Sequence, residues 1–575
     1  MLWSINRKKY FQRLELQEII NEPEWYQVGD FMNRPERKRT TSSRRDSYTV
    51  IALLTLIGAL IFRIPLEHLI GDNGIAYFGT ANEIYLVVAG TISYGLSEAV
   101  AILVRYRVRR EQFKSAERVL SGALVFGGGI GLILSILFGF LGHSLSEKIF
   151  HIPLAGMAVS MMAPAIFFFI LTGIFRGYFQ GNGSKVPSMH SQVLHMVFLF
   201  VAGMIGAAAL HGYGVKVSAF LQNEDYASAY GAKGAAIGLL VASIFCFLHV
   251  LILFFVFSKK INRQVGRELQ KNMDTKFHVI HMLAGTGALY SLNWFCFHVL
   301  PLLDQSLFFH FGVDADNLIG QWGQYYGKCL VVIGVICGTI SIICLIPIRR
   351  IIGNLEREEN RIAKEKLGIL IHQCAAITIP AAAFLAVLAE NILDVLFKVN
   401  QKQTVGWMQL GSLIIIFYVF ASVFMEMLTN SRKIKYVTGI GAIALVLHGG
   451  IVALLLKTAK IGIWAIVIGV ILFYAVLTIV GFLLVSRSFQ YSQEWMKSFA
   501  VTIIAAAVSA VIAMLLNKVI VSLLGSLISM IICLLIAIIV YMVLLIVMRA
   551  FRSEELEEMA GGRLLIMLAG LLHFS

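Results

Sequence analysis

Residues 62–74 read FRIPLEHLIGDNG, and the first two letters set the problem: Arg63 sits in the outer part of the first long apolar segment of the chain. An ionised side chain at membrane depth costs a few kcal/mol unless it faces a polar cavity or a partner, so it reads as functional by default. Pro65 and the turn formers Gly71, Asp72, Asn73 and Gly74 are expected to end the helix just beyond it.

The surroundings of this stretch are as apolar as it is. Of 575 residues 58% are hydrophobic and only 14% charged, and the mean hydropathy is +0.79, which excludes a soluble fold and implies an all-α polytopic membrane protein. The seven cysteines all fall inside apolar segments without paired spacing, so neither a disulfide framework nor a metal site is expected. A formal charge of +15 would suggest nucleic acid in a soluble protein, but here the basic residues concentrate in alternate loops and report orientation; no nucleic-acid partner is expected. Residues 1–47 are polar, so no signal peptide is expected there.

About fourteen apolar segments are long enough to cross a hydrocarbon core of about 30 Å. They cover 48–68, 76–104, 119–142, 154–175, 187–210, 234–257, 279–307, 327–348, 367–389, 404–428, 435–456, 461–485, 498–516 and 523–548. Arginine and lysine crowd the loops after the second, sixth and eighth segments and are sparse in the opposite ones, which puts both termini in the cytoplasm. The basic arm 1–47 is then cytoplasmic, and 10–20 reads either as an amphipathic helix on the inner leaflet or as a solvated tail. A short apolar run at 564–572 is too short to cross and is expected at the interface.

A duplication shows through the loops. VRREQFKSAERVL (108–120) and LEREENRIAKEKLGIL (355–370) are both charged and helix-prone and lie six segments apart; RGYFQGNGSK after segment four has a weaker counterpart in LTNSRKIK after segment ten. An even offset gives both halves the same orientation, related by an axis along the membrane normal. The expected organisation is therefore a cytoplasmic arm (1–47), a six-helix lobe (48–257), a cytoplasmic linker (258–278), a second six-helix lobe (279–485), two further helices (486–548) and a cytoplasmic or interfacial tail (549–575).

RIPLEHLIGDNGIAYFGTANEIY (63–85), GLSEAVAILV (95–104) and RGYFQGNGSKVPSMHSQV (176–193) resemble the stage V sporulation protein B-like branch of the polysaccharide transporters. That branch lies within the multidrug/oligosaccharidyl-lipid/polysaccharide (MOP) exporter superfamily and is related to lipid II flippases. The resemblance runs from about residue 47 into the C-terminal tail. It implies a two-lobed, MATE-like transporter of fourteen helices that moves undecaprenyl-pyrophosphate-linked sugars outward by alternating access. The chain departs from the pattern in two places. Where relatives often carry an acid-glutamine pair and then an arginine, this chain has Leu194, His195, Met196, Val197 and Phe198; after Asp304, Phe309 and His310 replace residues that are often basic.

Moving a pyrophosphate through a low-dielectric layer needs fixed positive charge, and guanidinium pairs bidentately with phosphate oxygens. Arg63 is the first candidate contact; otherwise it snorkels to the outer headgroups or pairs with Glu67 one turn on. Glu83 and Glu98 lie fifteen residues apart, close to four turns of one helix, as countercharges, proton-coupling sites or packing ion pairs. Asp304 and Lys328 are either ligand contacts or partners of one another. Arg176 greets the substrate phosphate from the cytoplasmic end of segment four, or serves as a positive-inside anchor. His195 is the one buried histidine worth testing as more than a packed side chain, and Glu426 reads as interfacial. The glycines of GGGIG (127–131) form no phosphate loop and suit close helix approach.

No nucleophile triad, catalytic carboxylate pair or nucleotide motif is present, so no enzyme, cofactor or metal is expected. The expected function is a flippase for a peptidoglycan precursor or polysaccharide unit in the bacterial plasma membrane, with lipid-linked saccharide and membrane lipids as its partners. Proton or sodium coupling and contacts with cell-envelope synthesis enzymes are compatible additions. The alternatives are a cation-coupled multidrug antiporter of the same superfamily and a non-transporting scaffold in envelope or spore assembly.

Overall fold

The computed structural model describes residues 41–266, 275–312, 317–399, 401–493, 496–559 and 561–571. The arm 1–40, including the amphipathic segment at 10–20, lies outside them, as does 267–274 of the linker.

The described residues are helical almost throughout and include no strand. In chain order the helices are α1 (Thr41–Ile84), α2 (Gly90–Arg109), α3 (Phe113–Lys148), α4 (Gly156–Gly181), α5 (Val186–Leu221), α6 (Asp225–Gly266), α7 (Lys276–His298) and α8 (Leu300–Phe311). Next come α9 (Leu318–Gln324), α10 (Leu330–Leu345), α11 (Ile348–Glu356), α12 (Asn360–Phe397), α13 (Lys402–Gly411), α14 (Leu413–Asn430), α15 (Ile434–Thr458), α16 (Ile463–Phe489), α17 (Val501–Val547), α18 (Ser553–Glu558) and α19 (Gly562–Leu571). Eleven stretches among the described residues are long and apolar enough to cross a membrane, and with them the chain is a multi-pass membrane protein. Large apolar side chains such as Phe140, Phe220 and Val446 point outward, which suits a lipid surround and would be untenable in water.

Eleven is fewer than the fourteen expected from the sequence, and the difference has visible sources. The stretches Thr49–Arg109 (61 residues) and Ser498–Val547 (50 residues) are each far longer than the roughly 20 residues one crossing takes. Each is broken by one glycine in the left half of φ space, Gly71 (φ 72°, ψ 178°) and Gly525 (φ 77°, ψ 171°), a conformation other residues adopt only with strain. Pro65 stands inside α1 without ending it, and Gly71 makes the break. The segment expected at 279–307 corresponds to α7 and α8.

The chain divides into two compact units. The first comprises 69–309 with the residues up to Phe62; the second comprises Arg63–His68 and His310–Ser575, so α7 and α8 pack with the first. The core of the first unit is built by glycine. A Cβ placed on Gly234 of α6 would lie 2.1 Å from the carbonyl oxygen of Gly206 on α5, and one on Gly238 would lie 2.5 Å from Gly203 Cα, so these two helices touch backbone to backbone. Gly177 of α4 likewise meets the Ser97 carbonyl of α2. In GGGIG, Gly127 faces Leu96 and Ile174, in keeping with the packing role expected of it.

Local geometry recurs along the chain. After α2, the amides of Glu111 and Gln112 donate to the carbonyls of Val108 and Arg107; after α11, Glu358 and Glu359 donate to Leu355 and Asn354 at the same two spacings. Glu111 (φ 58°) and Glu358 (φ 64°) occupy the same left-handed position of a helix-ending turn. The turn after α4 (Gly183 to Gln180, Ser184 to Phe179) repeats after α14 (Arg432 to Thr429, Lys433 to Leu428). A π-helical turn also recurs, Tyr85–Ala89 before α2 and Tyr325–Cys329 before α10, each opened by a buried tyrosine. The interval from that tyrosine to an arginine pair, Arg109–Arg110 or Arg349–Arg350, is the same in both halves.

Candidate functional site

In the second unit, Arg63 and Glu67 project from one turn of α1 toward the π turn at Tyr325–Cys329. The Arg63 guanidinium carbon lies 4.9 Å from the centre of the Tyr326 ring, a cation–π distance. Lys328 Nζ lies 3.0 Å from Glu67 Oε1, with the two side chains 3% and 9% exposed. Glu67 thus pairs with Lys328, over 250 residues away in the chain. Next to them Thr404 donates to Gln324 (2.7 Å), both buried, and the Trp322 ring lies near-parallel to Tyr326 with centres 6.2 Å apart. The result is a buried patch of two cations, one carboxylate and an aromatic wall, assembled from α1, α9, α13 and the π turn.

The first unit brings together a different set. Arg176, five residues before the end of α4, donates through Nε to Ser191 Oγ (2.8 Å), and its guanidinium lies 6.0 Å from the Phe169 ring centre. The helix continues to Gly181, past the segment end expected at 175, so Arg176 lies within α4 and is part-buried. His195 of α5 lies parallel to Tyr85 with ring centres 6.3 Å apart; Phe169 sits against both. Tyr85 hydrogen-bonds Ser243 (2.8 Å), and Cys246 approaches the Ser191 carbonyl (3.0 Å). Ser191, Ser243 and Cys246 carried no signal in the sequence, because small polar residues in apolar helices are common; only their shared proximity to Arg176 and Tyr85 marks them.

The remaining candidates lie elsewhere in the chain, Glu83, Glu98 and Asp304 in the first unit and Glu426 in the second. Glu83 is buried beside Asn82 (3.4 Å), and Glu98 is half-buried on α2. The π turn lies between them, so the angle that separates them is not the one an unbroken α-helix would set. Asp304 is buried on α8, where its neighbour Gln305 donates to Thr80 (2.7 Å). Glu426 of α14 is exposed and accepts from Asn430 (2.8 Å).

With this geometry in view, relatives give it a context. The MatE family model matches residues 49–205. The chain carries a MatE domain. Its expected place in the MOP exporter superfamily, on the stage V sporulation protein B-like branch, rests on that match together with the curated relatives. Stage V sporulation protein B of Bacillus subtilis is 19% identical over 80% of this chain and 86% of its own length. The B. subtilis membrane protein YabM is 26% identical over 64% of this chain and 65% of its own. Among solved structures, an inward-facing MATE family transporter of the MOP superfamily superposes with a TM-score of 0.60 at 14% identity, covering 77% of this chain and 98% of that one. The lipid II flippase MurJ, inward closed, gives 0.59 at 16%, covering 87% and 98%. At such identities these two likenesses speak for the fold. The match and these likenesses give the chain a MatE domain over 49–205 and an all-α polytopic fold of the MATE kind.

Proposed function

We propose that this chain is a flippase, moving an undecaprenyl-pyrophosphate-linked saccharide, a peptidoglycan precursor or polysaccharide unit, from the inner to the outer leaflet of a bacterial plasma membrane by alternating access. Fourteen crossings in two six-helix lobes plus two, with both termini inside, complete the reading. The observation that carries it is the pair of buried cations Arg63 and Lys328, held by Tyr326 and Glu67. Fixed positive charge in a dry, aromatic-walled patch suits a pyrophosphate, whose oxygens accept bidentate guanidinium donors. In this reading Arg63 grips the phosphate, Glu67 and Lys328 set its charge balance, and Glu83, Glu98, Arg176, His195 and Asp304 line the route in the first unit. Outward movement of negative charge is favoured by an inside-negative potential by about 2.3 kcal/mol per charge per 100 mV, which removes the need for nucleotide chemistry. The similarity to stage V sporulation protein B and to MurJ supports the lipid-linked substrate.

A second reading, a cation-coupled multidrug antiporter, is favoured by the buried carboxylates Glu83 and Asp304 and by the MATE fold neighbours. Complementation separates the two. A cell depleted of its lipid II flippase should be rescued by the intact chain and not by Arg63→Ala at matched expression. Absence of rescue by well-expressed intact protein, with drug export lost on neutralising Glu98, would establish the antiporter instead.

A further inference from the structure

Arg176 is a part-buried cation of the first unit. Among the described residues no carboxylate lies within ion-pair distance of it; its hydrogen bond goes from Nε to the neutral hydroxyl of Ser191. A guanidinium held inside a membrane-spanning helix without a counter-charge is a costly arrangement, tolerated where a charged ligand completes it. The side chain still keeps part of its surface open, so it is not sealed in apolar packing.

The hydrogen-bond inventory around it says what is missing. Ser191 Oγ donates to the Ser188 carbonyl (2.8 Å) while it accepts from Arg176, so its proton is committed. Ser243 donates to the Leu239 carbonyl (2.8 Å), which makes Tyr85 the donor in the Tyr85–Ser243 bond and commits its proton too. Two groups remain: the terminal amino groups of Arg176 and the ring of His195, whose Nδ1 is buried with no hydrogen-bond partner. The Arg176 amino groups are donors, His195 Nδ1 is one in its Nδ1–H tautomer, and Phe169 lies beside the Arg176 guanidinium, the His195 ring and the Tyr85 ring. With the hydroxyl protons committed, the donors left for a ligand are those of Arg176 and His195, and they suit an acceptor-rich anion with oxygens in more than one direction.

We propose that Arg176 and His195 form a second binding locus, separate from Arg63, for a phosphoryl group. Two sources share that chemistry, the pyrophosphate of a polyprenyl lipid and a free inorganic anion. The inference deepens the flippase reading and rests on it only for the lipid source; the anion chemistry stands on the first unit alone. His195 is the residue that opens the locus. A carboxylate at that position would neutralise Arg176 from within and leave nothing for a ligand to complete.

The test uses the full-length protein in lipid nanodiscs, its thermal unfolding followed with inorganic pyrophosphate, undecaprenyl pyrophosphate or undecaprenol. The intact chain should be stabilised by one or both pyrophosphates and not by the alcohol. A response to the free anion names inorganic pyrophosphate as sufficient; a response to the lipid alone names the headgroup. Arg176→Gln should weaken the binding by about tenfold or more. Should Arg176→Gln fold poorly, His195→Glu provides the cleaner arm: it should unfold at a higher temperature than the parent without ligand and lose the pyrophosphate response. Arg63→Ala, which removes the grip proposed in the second unit, should leave part of that response, and Arg63→Ala combined with Arg176→Gln should remove the rest, so the two loci are read apart. No stabilisation of the intact chain by either pyrophosphate, or an undiminished response in Arg176→Gln or His195→Glu, would overturn the proposal.

Discussion

Lys328 Nζ stands 3.0 Å from Glu67 Oε1, and this buried pair ties the turn of α1 that carries Arg63 to the π turn ahead of α10. Removing one partner of a buried ion pair strands the other charge, a loss of about 3–5 kcal/mol, whereas replacing both with apolar residues of similar volume is far less damaging. Glu67→Gln and Lys328→Met should therefore each lower the unfolding temperature in detergent markedly, and the double variant should recover much of the loss. Additive losses in that double-mutant cycle would mean that the two charges do not act as a pair.

Arg63 lies on the Tyr326 ring at 4.9 Å. A desolvated cation–π contact is worth about 2 kcal/mol, and lysine cannot reproduce the planar fork of guanidinium. Arg63→Ala should abolish rescue in the complementation assay and Arg63→Lys restore it only in part. Tyr326→Leu should fall between intact protein and Arg63→Ala, and full activity in Tyr326→Leu would remove the ring from the account of how the arginine is held.

Backbone contact between α5 and α6 leaves no room for a methyl group at Gly234, whose Cβ would sit 2.1 Å from the Gly206 carbonyl oxygen. Overpacking of this kind costs about 1–3 kcal/mol. Gly234→Ala should lower thermal stability in detergent more than Gly212→Ala, since nothing lies within 4 Å of a Cβ at Gly212. Equal effects at the two positions would argue that the helices part easily.

The break at Gly525 is pinned by amides. Asn391 of α12 and Asn517 of α17 exchange side-chain hydrogen bonds (3.1 and 2.8 Å), Asn391 reaches the Ser526 carbonyl (3.3 Å), and Ser529 donates to Asn517 (2.6 Å). The network meets polar backbone freed at the break, which an apolar surround would otherwise leave unsatisfied. Asn517→Leu should cost about 1–2 kcal/mol of stability. Faster proteolysis of the 517–529 turn is the second expected sign, and a variant as resistant as the parent would deny the network that role.

Much of this fold was legible because a membrane imposes its own grammar. Apolar runs, basic loops and the Gly71 break all arise from the need to satisfy backbone polar groups without water. The glycine-rich run at 127–131 was readable for the same reason. The shortfall in countable spans falls at three places: the long stretches broken at Gly71 and Gly525, and 279–307, which the structure divides into α7 and α8. The sites were less legible. Arg63 announced itself by its depth, but the partner of Glu67 could not be read, since the sequence offers Arg63 nearby and conceals Lys328. Arg176 looked like a rim anchor because helix ends are the least certain feature of an apolar run, and α4 extends past the point where hydropathy fades. The donors left over beside it became visible only when the protons of Ser191 and Tyr85 could be assigned to acceptors.

The π turns at Tyr85–Ala89 and Tyr325–Cys329 steer the helices that come after them. Each holds one residue more than the α-helical path would, and one residue is a rotation of about 100° and an advance of about 1.5 Å. Every side chain downstream is therefore aimed by a choice made upstream. Gly95, whose missing Cβ would meet the backbone oxygen of Gly287 at 2.7 Å, faces α7 because of five residues that never touch it. Deleting one residue between Tyr85 and Ala89 would spare Gly95 and yet turn another face of α2 toward α7. In this protein the length of a turn, as much as the identity of the residues after it, specifies which side of a helix is its inside.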